Sequence, residues 1–256
     1  MQRFFVAPER LAQGQVEFSP EQSRQIAQVL RMHGGESVAV LDNAGWVYDV
    51  ELIDVTPVAS RGVIRSRGIA RGEPRTKLTL YPALLKSDKL EFVFQKGTEL
   101  GVIGFVPVIS DRCNVGLLSA QSKRSRWERI IVEAAEQTER GRLPQLQPAT
   151  LFPQACETAR GLSFIAWERG ERPSLGDAVA ARISTGSPRP FGINLFVGPE
   201  GGFTDDEIKL AASYGIIPVS LGPRILRAET ASIVGATLVL AYSGDLQQDN
   251  EVSGSR

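Results

Sequence analysis

Residues 194–215 read "NLFVGPEGGFTDDEIKLAASYG", and the reading of this stretch decides the fold. With Ile193 in front, "INLFV" has the apolar run of a buried strand, and Gly198-Pro199-Glu200-Gly201-Gly202 is a turn. Thr204-Asp205-Asp206-Glu207 has the spacing of a capping box, in which a threonine hydroxyl and a glutamate carboxylate satisfy the orphan backbone donors of a new helix. Strand, glycine turn and capped helix together have the outline of a phosphate-binding loop. The chemistry does not match it: GxxxxGK[ST] and GxGxxG are both absent, and three acids stand where a phosphate would need positive charge. The turn suits a ligand without a charged phosphate.

A second glycine turn follows the next strand, in "LGPRILRAETA" (221–231). Both turns come after buried strands, where open α/β sheets bind ligands. Either turn alone is equally readable as a tight strand-to-helix connection. Two of them close in sequence, both with charged residues beside glycine, read as the walls of one pocket.

The pattern along the chain implies two domains, as does its length of 256 residues. In the first seventy residues, "RFFVA" is a short strand and "SPEQSRQIAQVLRMHGG" a helix capped by Ser19. "SVAVLDNAGWVYDVELIDV" is two strands around an Asp42-to-Gly45 turn, and "ASRGVIRSRGI" is another strand. "ARGEPRT" (70–76) is a linker. From Leu78 onward, strands that are apolar nearly throughout alternate with amphipathic helices, the mark of an α/β sheet covered on both faces. "KLTLYPALL", "GFVPVIS", "SFIAWE", "INLFVG" and "IIPVSLG" are its strands. Its helices are "SDKLEFVFQKGTEL", a long one at about 121–140, and the apolar closing helix "TASIVGATLVLAYSG". The polar tail 245–256 is expected to be disordered.

Composition removes several function classes. Cys113 and Cys156 form no CxxC pair, and His33 is the only histidine, so neither a zinc site nor a Ser-His-Asp triad has the residues it needs. His33, before Gly34-Gly35, is read as a solvated residue at a helix end. Twenty-nine basic residues balance 29 acidic ones, so nucleic-acid contact requires a local patch. The segment 61–77 is one candidate, and a solvated edge strand is the other reading of it. No run reaches the ~20 apolar residues of a membrane span, and the first segment is too short in apolar residues for a signal peptide; a cytoplasmic protein is expected.

"GPEGGF" with Glu207, then "LGPRILRAETA", together with "KGTELG" (96–101), "EAAEQTER" (133–140), "RFF" and "QVLRM", resembles the ribosomal RNA small subunit methyltransferase E family, of the SPOUT class of RNA methyltransferases. The resemblance covers the chain to about residue 243. It implies an α/β SPOUT-type parallel sheet with a C-terminal trefoil knot over 77–244, a small N-terminal PUA-like β-barrel RNA-binding domain over 1–72, and a homodimer. The activity it implies is S-adenosylmethionine-dependent methylation of a uridine at N3 in 16S rRNA, within the assembled 30S subunit. The missing lysine is then explained, because that cofactor has no phosphate.

Carried onto this sequence, the resemblance implies a cofactor pocket of Gly198, Gly202, Leu221, Gly222, Ile225 and Leu226, with Trp167 and Leu195 at its apolar wall. Arg227 would stabilise charge spreading onto the uracil carbonyls, and Glu229 would orient Arg227 or accept the proton. Arg3, Arg31, Lys96, Gln137 and Arg140 are the expected RNA contacts. On spacing alone, Glu133, Gln137 and Arg140 are a polar stripe or a salt-bridge ladder, and Lys96–Glu99 a surface ion pair. The alternatives are a SPOUT 2′-O-ribose methyltransferase and a non-catalytic RNA-binding module.

Overall fold

Alternation along the buried strands decides where every layer goes, because successive strand residues face opposite sides of a sheet. The computed structural model describes residues 1–184 and 192–247, and they divide into two units: Met1–Glu73 with Ile131–Leu143, and Pro74–Ile130 with Pro144 onward. The part of the expected tail from 248 to 256 lies outside the described residues.

The first unit holds β1 (Arg3–Phe5), β2 (Leu11–Ala12), β3 (Gln15–Glu17), α1 (Pro20–Arg24), β4 (Ser37–Leu41), β5 (Trp46–Val55) and β6 (Ser60–Ile69). Its sheet runs β1-β4-β5-β6-β3-β2, parallel at β1–β4 and antiparallel elsewhere. Phe4, Phe18, Ile26, Val38, Val40, Val50 and Leu52 fill the core. Ser19 and Gln22 form a reciprocal capping box, with Gln22 N donating to Ser19 Oγ at 3.2 Å and Ser19 N to Gln22 Oε1 at 3.1 Å. The helix it starts is shorter than the sequence suggests: α1 has five residues and passes into a π-helical turn at Gln25–Val29, after which Arg31 takes a left-handed φ of 53°. His33 is exposed beyond that end, in the glycine turn.

The second unit contains β7 (Leu78–Pro82), α2 (Ser87–Leu100), β8 (Gly104–Phe105) and β9 (Val108–Ile109). After them come α3 (Leu117–Gln137), β10 (Gln145–Leu146), β11 (Thr150–Leu151), α4 (Phe152–Thr158) and β12 (Leu162–Ala166). The last elements are α5 (Leu175–Ser184), β13 (Ile193–Val197), α6 (Asp205–Ser213), β14 (Ile217–Val219) and α7 (Ala228–Tyr242). Its six-stranded sheet runs β10-β8-β7-β13-β12-β14, every pair parallel. All five β13 residues are buried, as a strand covered on both faces requires. On one face Phe196 meets Phe152 of α4 and stacks on Tyr81 at 4.2 Å, in a core that also takes in Ile208 and Ala211 of α6. On the other face Leu195 lies against Gly235 of α7, which has no room for a Cβ: one would come 2.5 Å from Leu195 Cδ2.

Two expectations change here. "GFVPVIS" is not one strand: it divides at Pro107 into β8, in the large sheet, and β9, which pairs with β11. Proline cannot donate to a ladder, so the pairing partner changes there. The long helix starts earlier and ends earlier than 121–140, and α4 and α5 carry no expectation from the sequence.

Candidate functional site

The turns after β12, β13 and β14 wall a cleft of about 300 Å³ at the carboxyl ends of these strands. The first wall is the glycine turn of the opening stretch. Thr204 N donates to Glu207 Oε2 at 2.7 Å and Glu207 N to Thr204 Oγ1 at 3.2 Å, so the start of α6 is closed by its own box. The other Glu207 oxygen accepts from Asp111 N at 2.9 Å. With these groups taken and Asp205, Asp206 and Glu207 in the first turn, the helix end is unsuited to a phosphate. Gly198 lies so close to the Phe203 ring that a Cβ there would be 3.1 Å from it, so the backbone forms the wall.

The second wall is the 220–226 segment. Gly222 adopts φ 122°, a conformation that favours glycine, and its N–H donates to Ser220 Oγ at 3.1 Å. Trp167 closes one side; it is 5% exposed, with the Arg169 guanidinium 5.5 Å from its ring centroid. Seven of the eight expected cofactor residues, Trp167, Gly198, Gly202, Leu221, Gly222, Ile225 and Leu226, line the cleft. Leu195 does not: it is fully buried in the middle of β13, under α7. Arg227 and Glu229 flank the cleft at the start of α7. The Arg227 backbone carbonyl accepts from Ala231 N at 2.7 Å, while its side chain is exposed and makes no ion pair among the described residues. The ion pair of Glu229 is with Lys89 of α2, at 3.7 Å, and not with Arg227.

Sequence reasoning passed over several residues that shape the cleft. Arg112 holds the glycine turn from the segment after β9, and Glu168 and Glu200 line the cleft as carboxylates. Burial raises the Glu200 carboxyl, but its own backbone N–H and Lys89 outweigh burial and bring it below the usual range.

The expected RNA contacts are divided between the two units. Arg3 pairs with Glu139 at 2.7 Å, and Arg31 and Gln137 are exposed in the same unit. Lys96, in the other unit, pairs with Glu99 at 2.7 Å. Arg140 lies past the end of α3, beyond the helical stripe of Glu133 and Gln137, and is 3% exposed with its Nη2 2.9 Å from Glu73 Oε2. A buried, paired guanidinium organises its own surroundings; Glu73 Oε1 also accepts from Gly141 N at 3.0 Å and Arg142 N at 3.1 Å. The basic segment 61–77 is partly neutralised as well, because Arg61 pairs with Asp54 and Arg65 with Glu51 across the β5–β6 ladder.

A parallel α/β unit with its cleft at glycine turns, closed to phosphate, has a counterpart among known proteins: residues 72–240 match the family described as the RNA methyltransferase domain. Ribosomal RNA small subunit methyltransferase E of Synechocystis sp. is 36% identical over 242 residues, which cover 93% of this chain and 77% of that protein. The chain belongs to the ribosomal RNA small subunit methyltransferase E family. Among solved structures, a methyltransferase from Legionella pneumophila in complex with the cofactor S-adenosylmethionine is similar, with a TM-score of 0.84 and 30% identity over 94% of this chain and 97% of that one. The ribosomal RNA small subunit methyltransferase E of Neisseria gonorrhoeae bound to S-adenosylmethionine gives 0.81 and 28% over the same shares.

Proposed function

We propose that this chain transfers a methyl group from S-adenosylmethionine to ring nitrogen 3 of a uridine in 16S rRNA of the small ribosomal subunit. The observation that carries this reading is the cleft between two glycine turns, set in a family of RNA methyltransferases. Its lining fits the cofactor. Glycine backbone admits close approach, Leu221, Ile225 and Leu226 offer apolar surface to a nucleoside, and Glu168 and Glu200 favour a cation without phosphate. When bound, S-adenosylmethionine supplies an electrophilic methyl group on a positively charged sulfur.

The chain's own residues then have two tasks: to align a uracil ring with that methyl, and to stabilise the charge that reaches the ring carbonyls as the imide proton leaves. Arg227, exposed beside the cleft and free of carboxylate partners among the described residues, is the group for the second task. Glu229, in the first turn of α7, is the carboxylate nearest to it in sequence and is available to take the proton.

The same reading assigns residues 1–72 to a PUA-like RNA-binding domain and 77–244 to a SPOUT methyltransferase domain with a trefoil knot. It takes Arg3, Arg31, Lys96 and Gln137 as RNA contacts and the assembled 30S subunit as substrate, in the cytoplasm. Among the described residues no helix is long and apolar enough to cross a membrane. A homodimer follows from α7, which is apolar on nearly all sides, and from Ile225, 87% exposed at the cleft. The test is a methylation assay comparing naked 16S rRNA with 30S particles, alongside calorimetry with S-adenosylmethionine. Binding without methylation of either RNA would leave an RNA-binding module as the answer.

A further inference from the structure

Lys89 stands where a cation is electrostatically out of place. It is in the first turn of α2, where the helix dipole disfavours positive charge. Its Nζ is 3.1 Å from Glu200 Oε1, in the glycine turn, and 3.7 Å from Glu229 Oε2, in the first turn of α7. One ammonium therefore joins α2 to two elements more than a hundred residues later in sequence, at the margin of the cleft. The side chain is only 25% exposed, unlike a lysine free in solvent. The Glu200 hydrogen bond raises it above the usual lysine value, so the ammonium stays charged.

Glu229 supplies the second observation. Its Oε2 is buried and accepts no hydrogen bond, although the lysine charge lies 3.7 Å away. A buried carboxylate oxygen without a donor is costly to maintain, and the Lys89 ammonium is the nearby charge that offsets that cost.

We propose that Lys89 is a positioning residue: its charge fixes the Glu229 carboxylate at the margin of the cleft, and its hydrogen bond ties Glu200 into the cofactor wall. This assignment rests on the methyltransferase reading above. Each arm of the contact has its own readout, cofactor affinity for Glu200 and the rate with bound cofactor for Glu229. A lysine that makes only a surface ion pair moves neither, since such pairs are worth little.

The test uses the full-length protein with S-adenosylmethionine and 30S particles. Lys89→Met is expected to weaken S-adenosylmethionine binding roughly 10-fold by calorimetry. It should also lower the single-turnover methylation rate at saturating cofactor by roughly 10- to 100-fold, the scale of a misplaced reacting group. Glu229→Gln should lower that rate while leaving cofactor affinity unchanged. The double variant should be no slower than the slower single, because both changes remove one coupled unit. Lys89→Arg should recover most of the rate. If Lys89→Met does not fold, as judged by circular dichroism, Lys89→Gln gives the same comparison. A folded Lys89 variant with wild-type affinity and rate overturns the proposal, as does a double variant whose losses multiply. A wild-type protein that binds cofactor but methylates no RNA overturns the methyltransferase reading instead, and leaves the affinity arm to report on Lys89.

Discussion

Arg112 Nη1 lies 2.7 Å from the carbonyl oxygen of Gly201 and 3.3 Å from that of Phe203, so a single guanidinium holds both sides of the glycine turn. Three of the five residues of the turn, Gly198, Gly201 and Gly202, have no side chain with which to keep its shape. Arg112 supplies that constraint from a segment ninety residues earlier. Arg112→Ala is expected to raise the S-adenosylmethionine dissociation constant about 10-fold, the equivalent of one charge-assisted hydrogen bond, with little change in the rate at saturating cofactor. Titration calorimetry and single-turnover assays check it. An unchanged dissociation constant would show that the turn holds itself.

Arg227 separates catalysis from structure in a different way. Because its side chain is exposed and unpaired among the described residues, Arg227→Ala should leave melting temperature and cofactor affinity nearly unchanged. It should lower the single-turnover rate by roughly 10² to 10³, the loss typical of one donor to a developing negative charge. Arg227→Lys should recover only part, since an ammonium lacks the planar fork. A destabilised protein that no longer binds cofactor would mean that Arg227 is structural.

Gly235 sets how closely α7 approaches β13. A methyl group there would come 2.5 Å from Leu195 Cδ2, and Leu195 is fully buried. Gly235→Ala should therefore cost about 1–3 kcal/mol in urea unfolding, as overpacking does, despite the better helix propensity of alanine. Adding Leu195→Val should return part of the loss. A stabilised Gly235→Ala protein would contradict the close packing.

Glu136 gives a dependence on pH. Burial raises its carboxyl to about 7, with the Phe5 N–H, 3.1 Å away, acting against the rise and the Glu133 charge adding to it. A carboxyl whose folded value lies above its unfolded one costs stability once it ionises: the cost is absent below about pH 4.5, grows between 4.5 and 7, and is complete above 7. Glu136→Gln mimics the neutral form. It should raise the melting temperature by a few degrees at pH 8 and by almost nothing at pH 4.5. Equal effects at both pH values would contradict the assignment.

What the sequence discloses here is what is encoded locally. The Thr204–Glu207 box is a matter of spacing within four residues, and α2 begins and ends where its pattern says, with Gly101 in the left-handed conformation as its stop. The apolar run of β13 identifies a buried strand, yet nothing in "INLFV" says that its neighbours are β7 and β12, because strand pairing is made over distance. Arg140 shows the cost of extending a local pattern. Spacing from Glu133 puts it on a helical stripe, but α3 ends at Gln137 and Glu73, from a segment sixty-seven residues earlier, draws the guanidinium inside. Lys89 did leave a signal, a cation at a helix start, which implies a carboxylate brought from elsewhere. Arg112 left none.

The position of the transferred methyl group tests the central claim most directly. Assembled 30S particles lacking the modification are incubated with the protein and S-adenosylmethionine carrying a labelled methyl group. The 16S rRNA is then digested to nucleosides and resolved by mass spectrometry. The account predicts the label in 3-methyluridine, one per particle, and its loss with Arg227→Ala. Label on a ribose 2′-oxygen, or on a nucleoside other than uridine, would contradict it.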